Sequence, residues 1–185
     1  LGMIRNVLGF ARPEGGGAGT TDMRAHLGQI GGIVARLVGP AVAVEFDVGD
    51  DLPAVAMNSA SVTQIVFNLA ANARDAMPDG GRFRIGAESM ELTGAEPSAA
   101  ADPIVPGRFV RLTVADSGEG MDPQTASRAF EAFYTTRDAT GGVAGTGLGL
   151  SSVYLIVTRA GGRIDLRSNP GIGTTFTIDL PAAAA

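Results

Sequence analysis

The sequence predicts an α+β fold, a two-layer α/β sandwich in which one mixed sheet packs on helices, with about five strands and three helices. Segments whose apolar residues recur at helical spacing are followed by segments that alternate apolar and polar residues, as strands do. Clusters of Gly and Pro separate these segments. With 185 residues, 45% of them apolar, the chain is long enough to bury the core of one domain.

The N-terminal part of the chain is predicted to hold a helix end, a linker and a complete helix. Residues 1–12 are amphipathic and are interpreted as the end of a preceding dimerisation helix, and residues 13–21 as a Gly-rich linker. Because no strand precedes these glycines, they are not expected to form a phosphate loop. Asp22 offers an N-cap for a helix of about 16 residues, which ends at Gly39-Pro40.

The folded domain is predicted to span residues 22–181. A second helix is expected from residue 58 or 59 to about Met77, and a third from about Gly147 to Ala160. Asp122-Pro123 is typical of a helix start and predicts a shorter helix through Phe130. Strands are predicted over residues 41–48, 82–91, 108–116, 163–168 and 174–180.

Two segments are predicted to lack regular structure. Residues 135–146 are rich in Gly and Thr and are expected to be mobile, and residues 182–185 are expected to form a disordered tail.

The composition excludes several kinds of site and partner. A net charge of −5 argues against nucleic-acid binding. All 14 basic residues are arginines, which excludes a phosphate-loop lysine and Schiff-base chemistry. There is no cysteine for a thiolate metal site, and His26 is the single histidine. No apolar run could span a membrane and no signal peptide is recognised, so the segment is expected to be cytoplasmic and to make no membrane contact.

A stripe of polar residues marks the second predicted helix. Gln64, Asn68 and Asn72 follow one another at four-residue intervals, and Asp75 lies close to the same stripe. The stripe could be an ordinary solvent-exposed face. Asn is a poor helix former, however, and solvent faces usually carry Glu, Lys or Arg, so the two asparagines favour a binding face.

Three further motifs place glycines beside polar groups. Asp116-Ser117-Gly118-Glu119-Gly120-Met121 follows a predicted strand and, alone, is typical of a turn. Gly145-Thr146-Gly147-Leu148-Gly149-Leu150 opens a helix, whose free N–H groups and dipole form an anion site suited to a triphosphate. Gly171-Ile172-Gly173-Thr174-Thr175-Phe176, alone, would be a hairpin that enters a strand.

These motifs, in this order, resemble the boxes of the ATP-binding catalytic domain of sensor histidine kinases, in the wider family shared with gyrase, Hsp90 and MutL. An aromatic segment, Phe130-Glu131-Ala132-Phe133-Tyr134-Thr135-Thr136-Arg137, resembles the F-box of the kinases, and Phe130 and Phe133 are expected to be packing residues. The resemblance covers about residues 22–181. It implies the Bergerat-type fold with a mobile ATP lid, and ATP and Mg²⁺ as cofactors.

The resemblance also implies roles for the polar helix stripe and the lid. Asn72 would ligate Mg²⁺ through its side-chain oxygen, as hard cations prefer, and is placed with Arg137 in the catalytic set. Asn68 stands where the hydrolysing relatives have a glutamate; an amide cannot be a general base, which favours phosphoryl transfer over hydrolysis. Asp75 is assigned to the nucleotide site. Arg137 would contact the γ-phosphate, and the alternative is a solvated loop arginine.

The glycine motifs are implied to hold the base and the phosphates. Asp116 would accept a hydrogen bond from the adenine 6-amino group, and Thr174 would reach adenine directly or through water. Gly118 and Gly120 would let the backbone approach the base, and Met121 belongs to the same box. The residues implied for the triphosphate are Thr146, Gly147, Leu148, Gly149 and Leu150.

The predicted function is transfer of the γ-phosphate of Mg·ATP to a histidine of a dimerisation and phosphotransfer domain, with a response regulator receiver domain downstream. His26 is followed by Leu27 rather than by an acidic residue and is interpreted as a surface histidine, so the acceptor is expected outside this chain. Two alternatives remain open: a non-catalytic, nucleotide-responsive interaction module, and a serine kinase of the anti-sigma-factor type, which shares the fold.

Overall fold

A computed structural model of the chain describes residues 19–93, 105–136 and 146–184. The predicted helix end over residues 1–12 and the lid residue Arg137 lie outside these ranges. In the described part of the chain, no helix is long and apolar enough to cross a membrane.

The described residues form one five-stranded sheet in the strand order β1-β2-β3-β5-β4, with β1 and β2 parallel and the other neighbours antiparallel. The predicted mixed sheet and α+β class are confirmed. The elements in chain order are α1 (Met23–Val38), β1 (Val42–Val48), α2 (Ser59–Ala76), β2 (Gly81–Leu92), β3 (Gly107–Asp116), α3 (Pro123–Arg128), α4 (Gly149–Arg159), β4 (Arg163–Asn169) and β5 (Gly173–Pro181).

One core lies between the sheet and the long helices α1, α2 and α4. Its central side chains include Leu69 of α2, Val153 of α4 and Ile178 of β5, all at most 1% exposed. Burial of each such side chain contributes about 1.5–3 kcal/mol. Because the apolar positions of α2 face this core, the polar stripe lies along another side of the same helix.

Polar side chains start three of the helices as the sequence predicts. The carboxylate of Asp22 accepts a hydrogen bond from the N–H of Ala25 at 3.0 Å, and Asn58 caps α2 in the same way. Asp122 caps α3, but this helix ends at Arg128, two residues before the predicted end at Phe130. The helix α4 has no side-chain cap, because Leu148 occupies its N-cap position.

The boundaries of the domain differ from the predicted ones at both ends. Thr21, assigned to the linker, is buried and exchanges two backbone hydrogen bonds with Val55, of 3.0 and 2.9 Å. Ala182, assigned to a disordered tail, forms an antiparallel bridge with the same residue, and the N–H of Ala183 donates to Ala54 at 2.7 Å. The predicted boundaries are wrong at these residues, because the segment around Val55 offers them backbone partners.

A group of charged residues joins three strands on the face of the sheet opposite the helices. Asp179 of β5 is 1% exposed and accepts hydrogen bonds from Arg111 of β3 at 2.7 and 3.0 Å and from Arg163 of β4 at 2.7 Å. The hydrogen bond to Asp179 raises the pKa of Arg111. Since breaking a buried pair leaves an uncompensated charge, this group fixes the alignment of β3, β5 and β4, whose ends carry Asp116 and Thr174.

Candidate functional site

A cavity of about 900 Å³ opens between α2, the loop after β3, the start of α4 and the start of β5. This volume is typical of sites for small organic ligands. Of the predicted site residues that the structure describes, Gly118 and Leu148 do not line it. The predicted residues that do are Asn68, Asn72, Asp75, Asp116, Gly120, Met121, Thr146, Gly147, Gly149, Leu150 and Thr174.

The two asparagines of α2 differ in how they are held. The Nδ2 of Asn68 donates to the carbonyl of Gly149 at 3.3 Å and so joins α2 to the start of α4. The Nδ2 of Asn72 is buried and has no hydrogen-bond partner. A buried amide without a partner costs about 1–3 kcal/mol, so such groups are rare unless a ligand completes them. Gln64, the first residue of the predicted stripe, is exposed and does not line the cavity.

Asp116 ends β3, and the loop that follows it contacts the C-terminal end of α2 at Ala76, whereas the start of α4 contacts Asn68, eight residues earlier on α2. Its Oδ1 accepts the N–H of Gly118 at 2.9 Å, and the backbone N–H of Thr174 also donates to this carboxylate. Burial raises the pKa of Asp116, and these two backbone hydrogen bonds oppose that shift. The carboxylate is therefore held in place by two neighbouring strand ends.

The glycines beside Asp116 are required for packing of the loop. A Cβ on Gly118 would lie 2.6 Å from the carbonyl oxygen of Ala76, and one on Gly120 would lie 2.0 Å from that of Asn169. Gly120 also has a φ of 66°. The sequence led us to expect that both glycines admit the base. The geometry gives another reason, which is close contact of the loop with α2 and with the β4–β5 turn.

Hydrogen bonds connect the same loop to its two neighbours. The N–H of Glu119 donates to Ala76 at 2.9 Å, and the N–H of Gly171 donates to the carbonyl of Glu119 at 2.7 Å. The N–H of Met121 donates to the hydroxyl of Ser168 at 2.8 Å. Ser168 was not identified from the sequence, because a single Ser in a strand has no distinguishing pattern.

The start of α4 presents backbone N–H groups without a side-chain cap. The hydroxyls of Ser151 and Ser152 donate back to the carbonyl of Leu148, at 3.1 and 2.6 Å, and so cap none of these N–H groups. Thr146 lies just before the helix, with its hydroxyl 3.4 Å from the N–H of Leu148. Gly147 takes the turn into the helix with a φ of 63°. An uncapped helix start beside a cavity is suited to an anion.

Of the two aromatic residues expected to pack, only Phe130 does so. Its ring lies 5.6 Å from that of Tyr154 and 6.5 Å from that of Phe176, measured between centroids. Phe133 is 74% exposed and has a φ of 67°, so the prediction for this residue is wrong. Its N–H donates to Gly147 at 2.9 Å, and this turn directs its side chain away from the core.

The charged groups in the described part of the cavity wall are mostly acidic. They comprise the carboxylates Asp75, Asp116 and Glu119 and a single cation, Arg74. Arg74 forms an ion pair with Asp75, with nitrogen–oxygen distances of 2.6 and 2.7 Å. Arg74 was not identified from the sequence, although it directly precedes a predicted site residue.

No group of three or more His, Asp or Glu residues that could hold a metal ion exists among the described residues. A cation in the cavity would therefore depend on side-chain amides and on oxygens of its own ligand. His26 lies elsewhere on α1, where its Nε2 is 2.8 Å from the hydroxyl of Thr63.

Comparison with known families and sequences places this site in context. The profile described as "Histidine kinase-, DNA gyrase B-, and HSP90-like ATPase" matches residues 57–184. The sensor kinase CckA of Brucella abortus is 35% identical over 179 residues, which are 97% of this chain and 18% of the relative. The sensor histidine kinase ZraS of Escherichia coli K12 is 31% identical over 140 residues, 76% of this chain and 26% of the relative. The chain therefore spans about a fifth to a quarter of these relatives.

Solved structures of histidine kinases have the same fold. Full-length ShkA in complex with AMPPNP is 26% identical, with a TM-score of 0.71, and the match covers 100% of this chain and 36% of ShkA. The mycobacterial sensor histidine kinase MprB has the same fold, with a TM-score of 0.67 over 91% of this chain and 100% of that chain, at 24% identity. The family profile covers more than half of the chain, including the four cavity motifs. The chain therefore belongs to the histidine kinase-, DNA gyrase B- and HSP90-like ATPase family, and it is the ATP-binding domain of that family.

Proposed function

We propose that this domain binds Mg·ATP and positions its γ-phosphate for transfer to a histidine of a dimerisation and phosphotransfer domain. The observation that carries the proposal is the buried Nδ2 of Asn72, which has no hydrogen-bond partner, in a cavity with an uncapped helix start. These groups are suited to a metal-bound triphosphate, because each of them lacks a partner that such a ligand would supply.

Asn72 is the residue that would hold Mg²⁺. Its amide is buried but unbonded at Nδ2, and an amide oxygen is a ligand that Mg²⁺ accepts together with phosphate oxygens and water. The described residues contain no group of three or more His, Asp or Glu that could bind the ion, so its other ligands would be phosphate oxygens and water. When bound, Mg²⁺ neutralises charge on the phosphates. The protein side of the site orients the triphosphate through Asn72 and the N–H groups at the start of α4.

Asn68 favours transfer over hydrolysis. Its amide cannot remove a proton from water, and its Nδ2 already donates to Gly149. A water molecule beside the γ-phosphate would therefore find no base at this position. An acceptor imidazole brings its own nucleophilic nitrogen and needs no general base from this wall of the cavity.

The described cavity wall carries three carboxylates and one cation, Arg74, which is paired with Asp75. A further cation is therefore needed to neutralise the negative charge of the γ-phosphate. We propose that Arg137, which lies outside the described residues, contacts the γ-phosphate, as expected from the sequence. Two further proposals follow from the relatives, which are named sensor kinases. The acceptor histidine belongs to a dimerisation domain outside the described residues, and a response regulator receiver domain takes the phosphoryl group next. The domain would act in the cytoplasm, where ATP is available.

The nucleotide site can be tested by calorimetric titration of the chain with ATP and GTP, each with and without Mg²⁺. We expect saturable, adenine-selective binding that Mg²⁺ strengthens. Asn72→Ala should lose the effect of Mg²⁺ and weaken Mg·ATP binding about tenfold or more. Gln64→Ala, on the exposed part of the same helix, is the matched control and should bind as the wild type does. Absence of saturable binding would favour a non-catalytic interaction module.

The transfer reaction can be tested with γ-labelled ATP and the dimerisation and phosphotransfer domain supplied as a second protein. Label on that domain should disappear after acid treatment, because phosphohistidine is acid-labile. Acid-stable label would indicate a serine kinase instead. Label that forms equally well with Asn72→Ala would contradict the assignment of this residue to the catalytic set.

A further inference from the structure

The hydroxyl groups of Ser168 and Thr174 form a hydrogen-bonded pair at the wall of the cavity near Asp116. The two residues face each other in the β4–β5 ladder, and their hydroxyl oxygens are 2.9 Å apart. The Ser168 hydroxyl also lies 3.1 Å from the carbonyl oxygen of Gly173 and accepts the N–H of Met121. Thr174 is 6% exposed and lines the cavity.

The number of hydrogen bonds decides which hydroxyl donates. The carbonyl of Gly173 can only accept, so its bond requires the proton of Ser168. Thr174 then donates to Ser168, and both protons are used. In the reverse arrangement Ser168 would donate to Thr174, the carbonyl of Gly173 would lose this partner, and the Thr174 proton would need another acceptor. The first arrangement makes one more hydrogen bond and is favoured.

With its proton held by Ser168, Thr174 offers only lone pairs to the cavity. Asp116, beside it, is likewise an acceptor, since its carboxylate takes N–H groups from Gly118 and from Thr174 itself. Two acceptors therefore stand side by side on this wall. Such a pair attracts an amino group and repels a keto oxygen.

We infer that Ser168 is a positioning residue that fixes the direction of the Thr174 hydroxyl and thereby makes this site selective for a 6-amino purine over a 6-keto purine. This inference rests on the proposed function, because it supposes that the purine lies between Asp116 and Thr174. Without Ser168, the Thr174 hydroxyl can turn and donate to a keto oxygen at position 6, while Asp116 accepts the N–H at position 1 of that base.

The test compares the binding of Mg·ATP with that of Mg·ITP, whose bases differ in the groups at positions 1 and 6. The wild type should prefer ATP. Ser168→Ala should lower the ratio of the two affinities about tenfold, the size of one hydrogen-bond preference. Ser89→Ala, an exposed strand serine outside the site, is the matched control and should keep the wild-type ratio. If Ser168→Ala weakens both ligands equally, the residue only supports the loop and the inference is overturned.

A second pair of variants keeps the test valid if Ser168→Ala fails to fold. Thr174→Ser keeps the hydroxyl and should keep the ratio, whereas Thr174→Val should lower it. A ratio that Thr174→Val leaves unchanged would overturn the inference. Where Ser168→Ala folds, adding it to Thr174→Val should change the ratio no further. A wild type that binds neither nucleotide would defeat the proposed function itself. A wild type that prefers ATP together with an unchanged ratio in Ser168→Ala would defeat only the inference.

Discussion

The two ends of the cavity are built in different ways. At the end that holds Asp116, the loop after β3 is joined to α2 and to the β4–β5 turn by hydrogen bonds of 2.7–2.9 Å, and the polar groups have partners within the protein. At the end that holds Asn72 and the start of α4, an amide is buried without a partner and the helix is uncapped.

We propose from this difference that the domain divides nucleotide recognition into two tasks. The Asp116 end is preorganised, so it can discriminate between bases without rearrangement. The Asn72 end leaves hydrogen-bonding groups for which the ligand must supply partners, so it should contribute to affinity only when phosphates and a metal are present. Variants at the two ends should therefore separate the stability of the free domain from nucleotide binding.

The largest effect is expected from a methyl group added where the Asp116 end is most tightly packed. A Cβ on Gly173 would lie 2.0 Å from the carbonyl oxygen of Asp116, and Gly173 has a φ of 127°. Gly173→Ala should lower the free energy of unfolding by about 2–5 kcal/mol, the sum of backbone strain and overpacking. Gly171→Ala is the matched control: its φ is 74°, but no atom lies within 4 Å of the added carbon.

Denaturant unfolding of the ligand-free domain measures the free energy of unfolding of both variants. Gly171→Ala should lower the free energy of unfolding only by the backbone strain, about 1–2 kcal/mol. Equal losses for the two variants would mean that the contact between the strand ends can relax, and the Asp116 end would not be preorganised.

A smaller effect is expected from protonation of Asp116, with opposite signs for binding and stability. Burial raises the pKa of this carboxyl in the folded domain above its ordinary value of 3.8. Its contribution to folding stability is therefore largest below 3.8 and is lost as the pH rises through the folded pKa. Under the proposed function the carboxylate accepts a hydrogen bond from adenine, so adenosine affinity should fall as the pH falls through the same range. Calorimetric titration of adenosine from pH 7 downwards, with unfolding measured in parallel, checks both signs.

Asp116→Asn separates this carboxyl from other titrating groups. The variant should bind adenosine about 10–100-fold more weakly at pH 7, because a hydrogen bond to a charged acceptor contributes about 1.5–3 kcal/mol. Its remaining affinity should lack the pH dependence that Asp116 gives the wild type. An identical pH profile in the two proteins would show that another group is responsible.

The fold and most of the cavity could be predicted from the sequence because their signals are local. Caps such as Asp22 and Asn58 and the alternation in the strands depend on neighbouring residues, and the structure has them where expected. Asn68, Asn72 and Asp75 of the polar stripe and residues of the glycine motifs likewise line the cavity. The pairing of Thr21 and Ala182 with Val55 could not be predicted, because it depends on backbone contacts between distant segments.

The structural roles of individual residues were harder to predict than the positions of the motifs. Gly118 and Gly120 stand where the motif requires, but the atoms that exclude a side chain belong to Ala76 and Asn169, which are remote in the sequence. Ser168 and Arg74 carry no pattern of their own, and only the cross-strand register and the cavity wall reveal them. Exposure of Phe133 follows from a turn conformation that composition does not encode.

The smallest predicted effect compares the two asparagines of α2, which are matched in residue type and helix position. Without ligand, Asn68→Ala should cost about 0.5–1.5 kcal/mol of stability, because it removes the hydrogen bond to Gly149. Asn72→Ala should cost less, or stabilise the domain, because it removes a buried Nδ2 that lacks a hydrogen-bond partner. Urea unfolding of both variants measures the difference, and the shared gain in helix propensity cancels between them.

Adding Mg·ATP should reverse the ranking of the two variants. The wild type and Asn68→Ala should gain stability from bound nucleotide, whereas Asn72→Ala should gain little at the same concentration. If Asn72→Ala is as destabilised as Asn68→Ala before ligand is added, the Asn72 amide has a partner in the free protein. The contrast between a preorganised base end and a ligand-completed phosphate end would then fail at the residue on which it depends most.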